Sequence, residues 1–386
     1  MIKDSSFEEI FEISRKVFSF AEIGSEEFRT SKLLSSFLRK KGFVTKIPYK
    51  GMKTSFRAEY GKGKPSVCFL AEEDALPNGH SCGHNLIAAW AVGTAVKLKD
   101  SGYKGKIIVI GTPSEEGIGN YAGSKDKLVK EKAFDNVDFV IGFHPYSQWN
   151  VGCQSPSDVD MKMTFIGKSS HLEESDMGRN ALDALVTVYN TIRNIVAASP
   201  KYKHVLAGMF IKEGGQAANI VPEKSILEID LRSTNEKYFK QVYNKIIRAA
   251  HSIGRAYGVK VKIEDTTPIY EQYINSVDID EVLFKNFKEL RIVPEKLYSL
   301  KNLQIGATDE ANVSRVVPTG HIDMKITQKN VPGHSDEFRD ASGSKEALEV
   351  LKKTINVTVK SCMQIYDDKT LLNKIYAFKK KLKTLS

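Results

Sequence analysis

The sequence predicts an α/β protein: a larger domain whose mainly parallel sheet is flanked by helices, plus an inserted α+β domain with an antiparallel sheet and two helices. Three observations predict it. Short, continuously apolar runs at 65–72 (PSVCFLAE), 106–113 (KIIVIGTP) and 137–145 (VDFVIGFHP) are separated by helix-like stretches, the pattern of buried parallel strands joined by crossover helices. Beyond Gln154 the apolar residues alternate instead, as in VDMKMTFIG at 159–167. From about Val277 the helix and strand alternation resumes. The predicted domains are therefore 1–156 with 268–386, and 157–267 between them, and a chain of 386 residues with 41% hydrophobic content has the apolar surface for two.

Taken in order, Phe7, Ile10, Phe11 and Ile13 recur at helical spacing, as do Leu33, Leu34 and Leu38 before a stop at Gly42. Two helices open the chain. The three apolar runs follow, with the helical stretch NLIAAWAVGTAVKLKD between the first two. In the insert, the helix ALDALVTVYNTIRNIVAA, strands in HVLAGMFIKEGG and SILEIDLRS, the helix KYFKQVYNKIIRAAHSIGRAYG and the strand VKVKIEDTT complete a compact unit. No repeat or low-complexity segment is present.

Composition narrows the function classes. No apolar stretch is long enough for a membrane span or a signal segment, which predicts a cytoplasmic protein with no membrane partner. Four scattered cysteines, Cys68, Cys82, Cys153 and Cys362, predict free thiols, one of which can serve as a ligand. The net charge of +10 comes mostly from dispersed lysines. Its one concentration, KIYAFKKKLKTLS, shares an amphipathic pattern with Leu371, Leu372, Ile375 and Phe378, the mark of a solvated helix face and not of nucleic-acid binding.

Ligands in open α/β sheets collect at the carboxyl ends of strands. Here the first run ends in Glu72-Glu73-Asp74, the second leads to Glu115-Glu116, and the third ends in His144-Pro145. Cys82 and His84 lie in the loop after the first. A thiolate, imidazoles and a carboxylate suit zinc or another late divalent metal, and alternate loop residues can turn toward one cation. Each motif alone has a plain alternative: a buried core cysteine, a solvated acidic pair, or a capped strand-end histidine. Adjacent carboxylates at 115 and 116 can divide the work, one binding metal while the other moves a proton.

In order along the chain stand Glu72 to Pro77 (EEDALP), Gly79 to Asn85 (GHSCGHN), Gly111 to Gly117 (GTPSEEG), His144-Pro145 and His334 to Phe338 (HSDEF). This series resembles the dinuclear-metal amidohydrolases and exopeptidases of peptidase family M20, which include aminoacylases, auxin-conjugate hydrolases and aminobenzoyl-glutamate hydrolases, in the branch with a cysteine ligand. Gly167 to His171, Gly214 to Pro222 and Gly306 to Ser314 are similar to further family elements. The resemblance implies two divalent ions per subunit, zinc or manganese, held by Cys82, His84, Glu116, His144 and His334, with Cys82 shared. It implies Glu115 as general base and acid, Asp74 behind the ligands, and His171 reaching a partner's site to steady the oxyanion. The insert is then a lid and dimerisation domain, and the protein a homodimer. Asn219 and Arg232 are implied to grip the carboxylate of a small amide substrate, although Arg232 can equally pair with a strand neighbour.

The expected activity is hydrolysis of the amide bond in N-acyl or N-aroyl amino acids or dipeptide-like molecules. Departures bear on substrate: Asn85 stands where auxin-conjugate relatives have aspartate, Glu73 where relatives often have tyrosine, Ile118 and Asn120 interrupt a glycine run, and Leu172 follows His171. Two rival readings stand beside it, a non-catalytic metal- or ligand-binding protein that retains the fold, and a thiol hydrolase with Cys82 as nucleophile and His84 as base.

Overall fold

The computed structural model describes residues 5–299 and 306–384. Its strands are β1 (Val44–Lys46), β2 (Arg57–Tyr60), β3 (Gly63–Glu72), β4 (Gly105–Thr112), β5 (Phe139–Tyr146), β6 (Asn150–Val151), β7 (Ser157–Ile166), β8 (Leu206–Glu213), β9 (Lys224–Ser233), β10 (Lys260–Asp265), β11 (Glu295–Lys296) and β12 (Thr319–Lys325). They form an eight-stranded sheet, ordered β1-β2-β4-β3-β5-β12-β6-β11, and a four-stranded one, ordered β10-β7-β9-β8. The chain divides into two compact units, one from the described parts of Met1–Gln154, Tyr273–Asn302 and Thr308–Ser386, the other chiefly from Ser155–Gln272.

The larger unit carries the mainly parallel sheet that the apolar runs predict. β4, β3, β5 and β12 run parallel, and from Val67 to Glu72 every residue of β3 is buried, so both faces must be covered. The helix His84–Asp100 supplies one cover and is buried around nearly its whole circumference. Trp90 at its middle stacks on Phe143 and meets Phe69 edge-on. At Gly93 this helix meets Ile10 and Ile355 so closely that a Cβ would lie 3.0 Å and 3.1 Å from them, fixing the outer helices Ser5–Phe20 and Lys345–Asp367 against it. The short antiparallel strands β1 and β2 have no counterpart in the sequence reading, because Thr45, Lys46, Arg57 and Glu59 give no apolar period.

The smaller unit is an antiparallel sheet under two helices, Ala181–Ala197 and Glu236–Ala256, each capped by an asparagine, Asn180 and Asn235. Alternate residues of β7 and β9, such as Met161, Met163, Leu227 and Leu231, fill its core. The basic C-terminal segment is a helix, Lys369–Leu382, with Ile375 and Leu382 buried and Lys381 exposed. No helix among the described residues is long and apolar enough to cross a membrane.

Candidate metal centre

The site lies where β3, β4 and β5 of the larger unit end. The chain leaves β3 through Glu72, Glu73 and Asp74 and reaches the helix at His84 by way of Cys82 and Gly83. Gly83 has φ +83°, a left-handed conformation, and a Cβ on it would stand 2.8 Å from Cγ of Pro145. Only glycine lets this loop lie against the end of β5. That close approach puts Cys82 Sγ 3.3 Å from His144 Nε2.

Asp74 sets the direction of His84. Nδ1 of His84 faces two acceptors, the Asp74 carbonyl at 2.9 Å and Oδ1 at 3.1 Å, so Nδ1 carries the hydrogen and Nε2 is left with its lone pair. Asp74 Oδ2 accepts from Glu116 N at 3.0 Å, which ties the loop after β4 to the loop after β3. His334 arrives from far along the chain at φ +67°, its N–H donating to Ser81 O, and its Nε2 lies 3.3 Å from Glu116 Oε2.

All five residues expected as ligands therefore meet in one place. Ligand atoms of Cys82, His84 and His144 lie within 4.8 Å of one another, and so do those of Cys82, Glu116 and His334. Cys82 Sγ is common to both groups. A third group consists of Glu72, His84 and Glu115. His84 Nε2, Glu116 Oε1 and Glu72 Oε2 are buried without a hydrogen-bond partner, an arrangement that a cation relieves. The donor set, one sulfur with imidazoles and carboxylates, fits a divalent metal ion.

Electrostatics point the same way. Burial pushes the Cys82 thiol well above its ordinary value and Glu116 adds to the effect; burial also raises the Glu116 carboxyl to about 7. Against its own burial, His84 is held well above the usual imidazole range by Asp74. The pocket has surplus negative charge, which divalent cations compensate while keeping thiol and carboxyls ionised. Glu115 stands beside this group, its Oε1 accepting from Thr308 Oγ1 at 3.0 Å and its Oε2 3.7 Å from His84 Nε2.

His171, Asn219 and Arg232 belong to the smaller unit. His171 is exposed, with Nδ1 accepting from Glu173 N, and Asn219 is exposed and takes Leu172 N–H on its carbonyl. Arg232 is engaged within its own sheet: Asp230, two residues away on the same face of β9, accepts from Nε at 2.9 Å and from Nη2 at 2.8 Å, and Asp158 lies 3.6 Å away. These are the contacts that the strand-neighbour reading of Arg232 expects.

Behind the site stands a residue absent from the sequence reading. Glu27 is fully buried, and its Oε1 accepts from Ser25 N at 3.0 Å and from Ser114 N at 2.9 Å, which holds Ser114 at φ +58° in the turn before Glu115. Burial, reinforced by Asp74, raises its carboxyl from 4.5 to about 7. The folded protein thus binds a proton more tightly than the unfolded chain, and stability from this residue falls as pH rises from about 4.5 to about 7. Glu27→Gln keeps an accepting oxygen and removes the ionisation, so its melting temperature relative to wild type should rise between pH 5 and pH 8. Equal shifts at both pH values would count against this account.

Comparison with known proteins follows the same lines. Residues 73–357 match the family described as Peptidase family M20/M25/M40. The chain is 30% identical over 387 residues to Xaa-Arg dipeptidase of Mus musculus, covering 96% of this chain and 88% of that protein. It is 28% identical over 263 residues to one of the subunits of p-aminobenzoyl-glutamate hydrolase of Escherichia coli (strain K12), covering 62% of this chain and 54% of that one. In fold it is similar to the Bacillus subtilis YXEP protein, a dinuclear metal binding peptidase, with a TM-score of 0.65 at 16% identity, covering 92% of this chain and 99% of the other.

Proposed function

The chain belongs to peptidase family M20/M25/M40, and from that premise we propose that it is a metal-dependent amidohydrolase cleaving the amide bond of dipeptide-like molecules or N-acyl and N-aroyl amino acids. The observation that carries this reading is the convergence of Cys82, His84, Glu116, His144 and His334 with Cys82 Sγ common to two ligand groups and Glu115 beside them. Cys82, His84 and His144 would hold one divalent ion, and Cys82, Glu116 and His334 a second. When bound, the ions polarise the amide carbonyl and lower the pKa of the attacking water. Asp74 keeps His84 in its ligating tautomer. Glu115, fixed through Oε1 by Thr308, takes the proton of the water on Oε2 and returns it to the departing nitrogen. Asn219 is the proposed contact for the substrate carboxylate, and His171, reaching the site of the partner subunit, for the carbonyl oxygen as negative charge develops on it.

The relatives' names set the test. Purified protein loaded with zinc or manganese is offered a panel of dipeptides, including those ending in arginine, and N-acyl amino acids. Hydrolysis that stops on chelation and returns with metal is the expected result. Failure on the whole panel would favour a non-catalytic binding protein of the same fold, and activity that persists after complete metal removal would favour a thiol hydrolase.

A homodimer through the smaller unit is part of the proposal. β8 forms an edge of its sheet and exposes Leu206, Ile211 and Phe210, the last 63% exposed. An unpaired edge with apolar side chains favours pairing with another chain. Phe210→Glu is expected to turn a dimer into a monomer by light scattering; a wild-type protein already monomeric at micromolar concentration would end this part of the proposal. A cytoplasmic location is proposed on the four free cysteines.

A further inference from the structure

Glu72 lies outside the five-residue ligand set, yet it is buried and its two oxygens are differently engaged. Oε1 pairs with Lys125 Nζ at 2.9 Å. Oε2 has no hydrogen-bond partner and sits 3.5 Å from His84 Nε2, which also has none. Glu115 Oε2 lies 3.7 Å from the same nitrogen. With the hydrogen of the neutral His84 ring on Nδ1, the lone pairs of Nε2 and of the two carboxylate oxygens face one another in a buried space. Such an arrangement is costly unless a cation or an added proton occupies it.

Lys125 makes the position of Glu72 a fixed one. Its side chain is wholly buried, its Nζ pairs with Asp309 Oδ1 as well as with Glu72, and its backbone N–H donates to Asp309 Oδ2 at 3.0 Å. Held at both ends, the lysine draws Oε1 away from the metal centre and leaves Oε2 turned toward His84. Removal of either member of a buried pair exposes the other as an uncompensated charge, so this brace resists rearrangement.

We propose that Glu72 is a sixth protein ligand of the metal centre, its Oε2 engaging the cation bound by His84 Nε2, and that the Lys125–Asp309 pair is the brace that aims it. The inference rests on the metal-dependent reading above, and it goes beyond the five-residue set.

The test is calorimetric titration of metal-free protein with zinc, together with the visible absorption spectrum of the cobalt(II) form. Wild type is expected to bind two ions. Glu72→Gln should weaken one of them by well over 100-fold, beyond the 10- to 100-fold typical of residues behind the ligands, and should change the band positions of the cobalt spectrum. Lys125→Met should weaken the same ion by roughly 10- to 100-fold, with partial recovery in Lys125→Arg. If Lys125→Met does not fold, Glu72→Asp serves instead, since it keeps the charge but withdraws the oxygen by one methylene and should shift the cobalt bands. Two ions bound to Glu72→Gln with wild-type affinity and an unchanged cobalt spectrum would overturn the inference alone. A wild type that binds no divalent metal would overturn it together with the proposed function.

Discussion

Glu115→Gln is expected to lower kcat by about 10³-fold, within the range for loss of a positioned general base, while the protein keeps its full metal content. The substitution is nearly isosteric. The amide retains an oxygen able to accept from Thr308 Oγ1, so the side chain should stay where Glu115 stands, with the group near His84 Nε2 no longer able to take a proton. A base acting in the rate-limiting proton transfer affects kcat and kcat/KM alike, and KM should change little. Elemental analysis of the purified variant supplies the second readout. Loss of a metal ion along with activity would make Glu115 a ligand, as its membership of the group with Glu72 and His84 allows, and the assignment of the base would have to move.

The sequence shows the parallel sheet clearly because β3, β4 and β5 are buried on both faces and need continuous apolar runs. It shows the five candidate ligands because each stands in a short motif, and the motifs occur in a fixed order. What it hides is the separate fate of neighbouring residues of one type. Glu72, Glu73 and Asp74 read as one acidic run, yet Glu72 faces His84 Nε2, Glu73 lies over Gly111 where the missing Cβ makes room, and Asp74 sits beneath His84 Nδ1. Only the backbone path after β3 separates them. Lys125 reads as one lysine among several in SKDKLVK, and nothing in its neighbours marks it as the buried one. The pairing of Arg232, by contrast, is legible in the strand itself: Asp230 at spacing two shares its face and accepts from it.

The other large effect is expected at Cys82, where three readings part. A serine there should cost well over 100-fold in metal affinity and abolish measurable hydrolysis, because the loss of a ligand exceeds the 10- to 100-fold cost of disturbing residues behind one. The reason is the position of Sγ. It belongs to the group with His84 and His144 and to the group with Glu116 and His334, so one substitution weakens both. A serine hydroxyl reaches less far than sulfur and resists ionisation, whereas a thiol bound to a cation is deprotonated outright. A nucleophilic Cys82 predicts something else: loss of activity with metal binding intact. The site argues against it, since burial and then Glu116 push the thiol upward and the adjacent carboxylates disfavour a thiolate without a cation. A third possibility, a buried core cysteine with no ligand role, predicts a variant with both properties close to wild type. Metal content and hydrolysis rate of Cys82→Ser, measured on one preparation, separate all three, and the shared-ligand assignment survives only if both fall together.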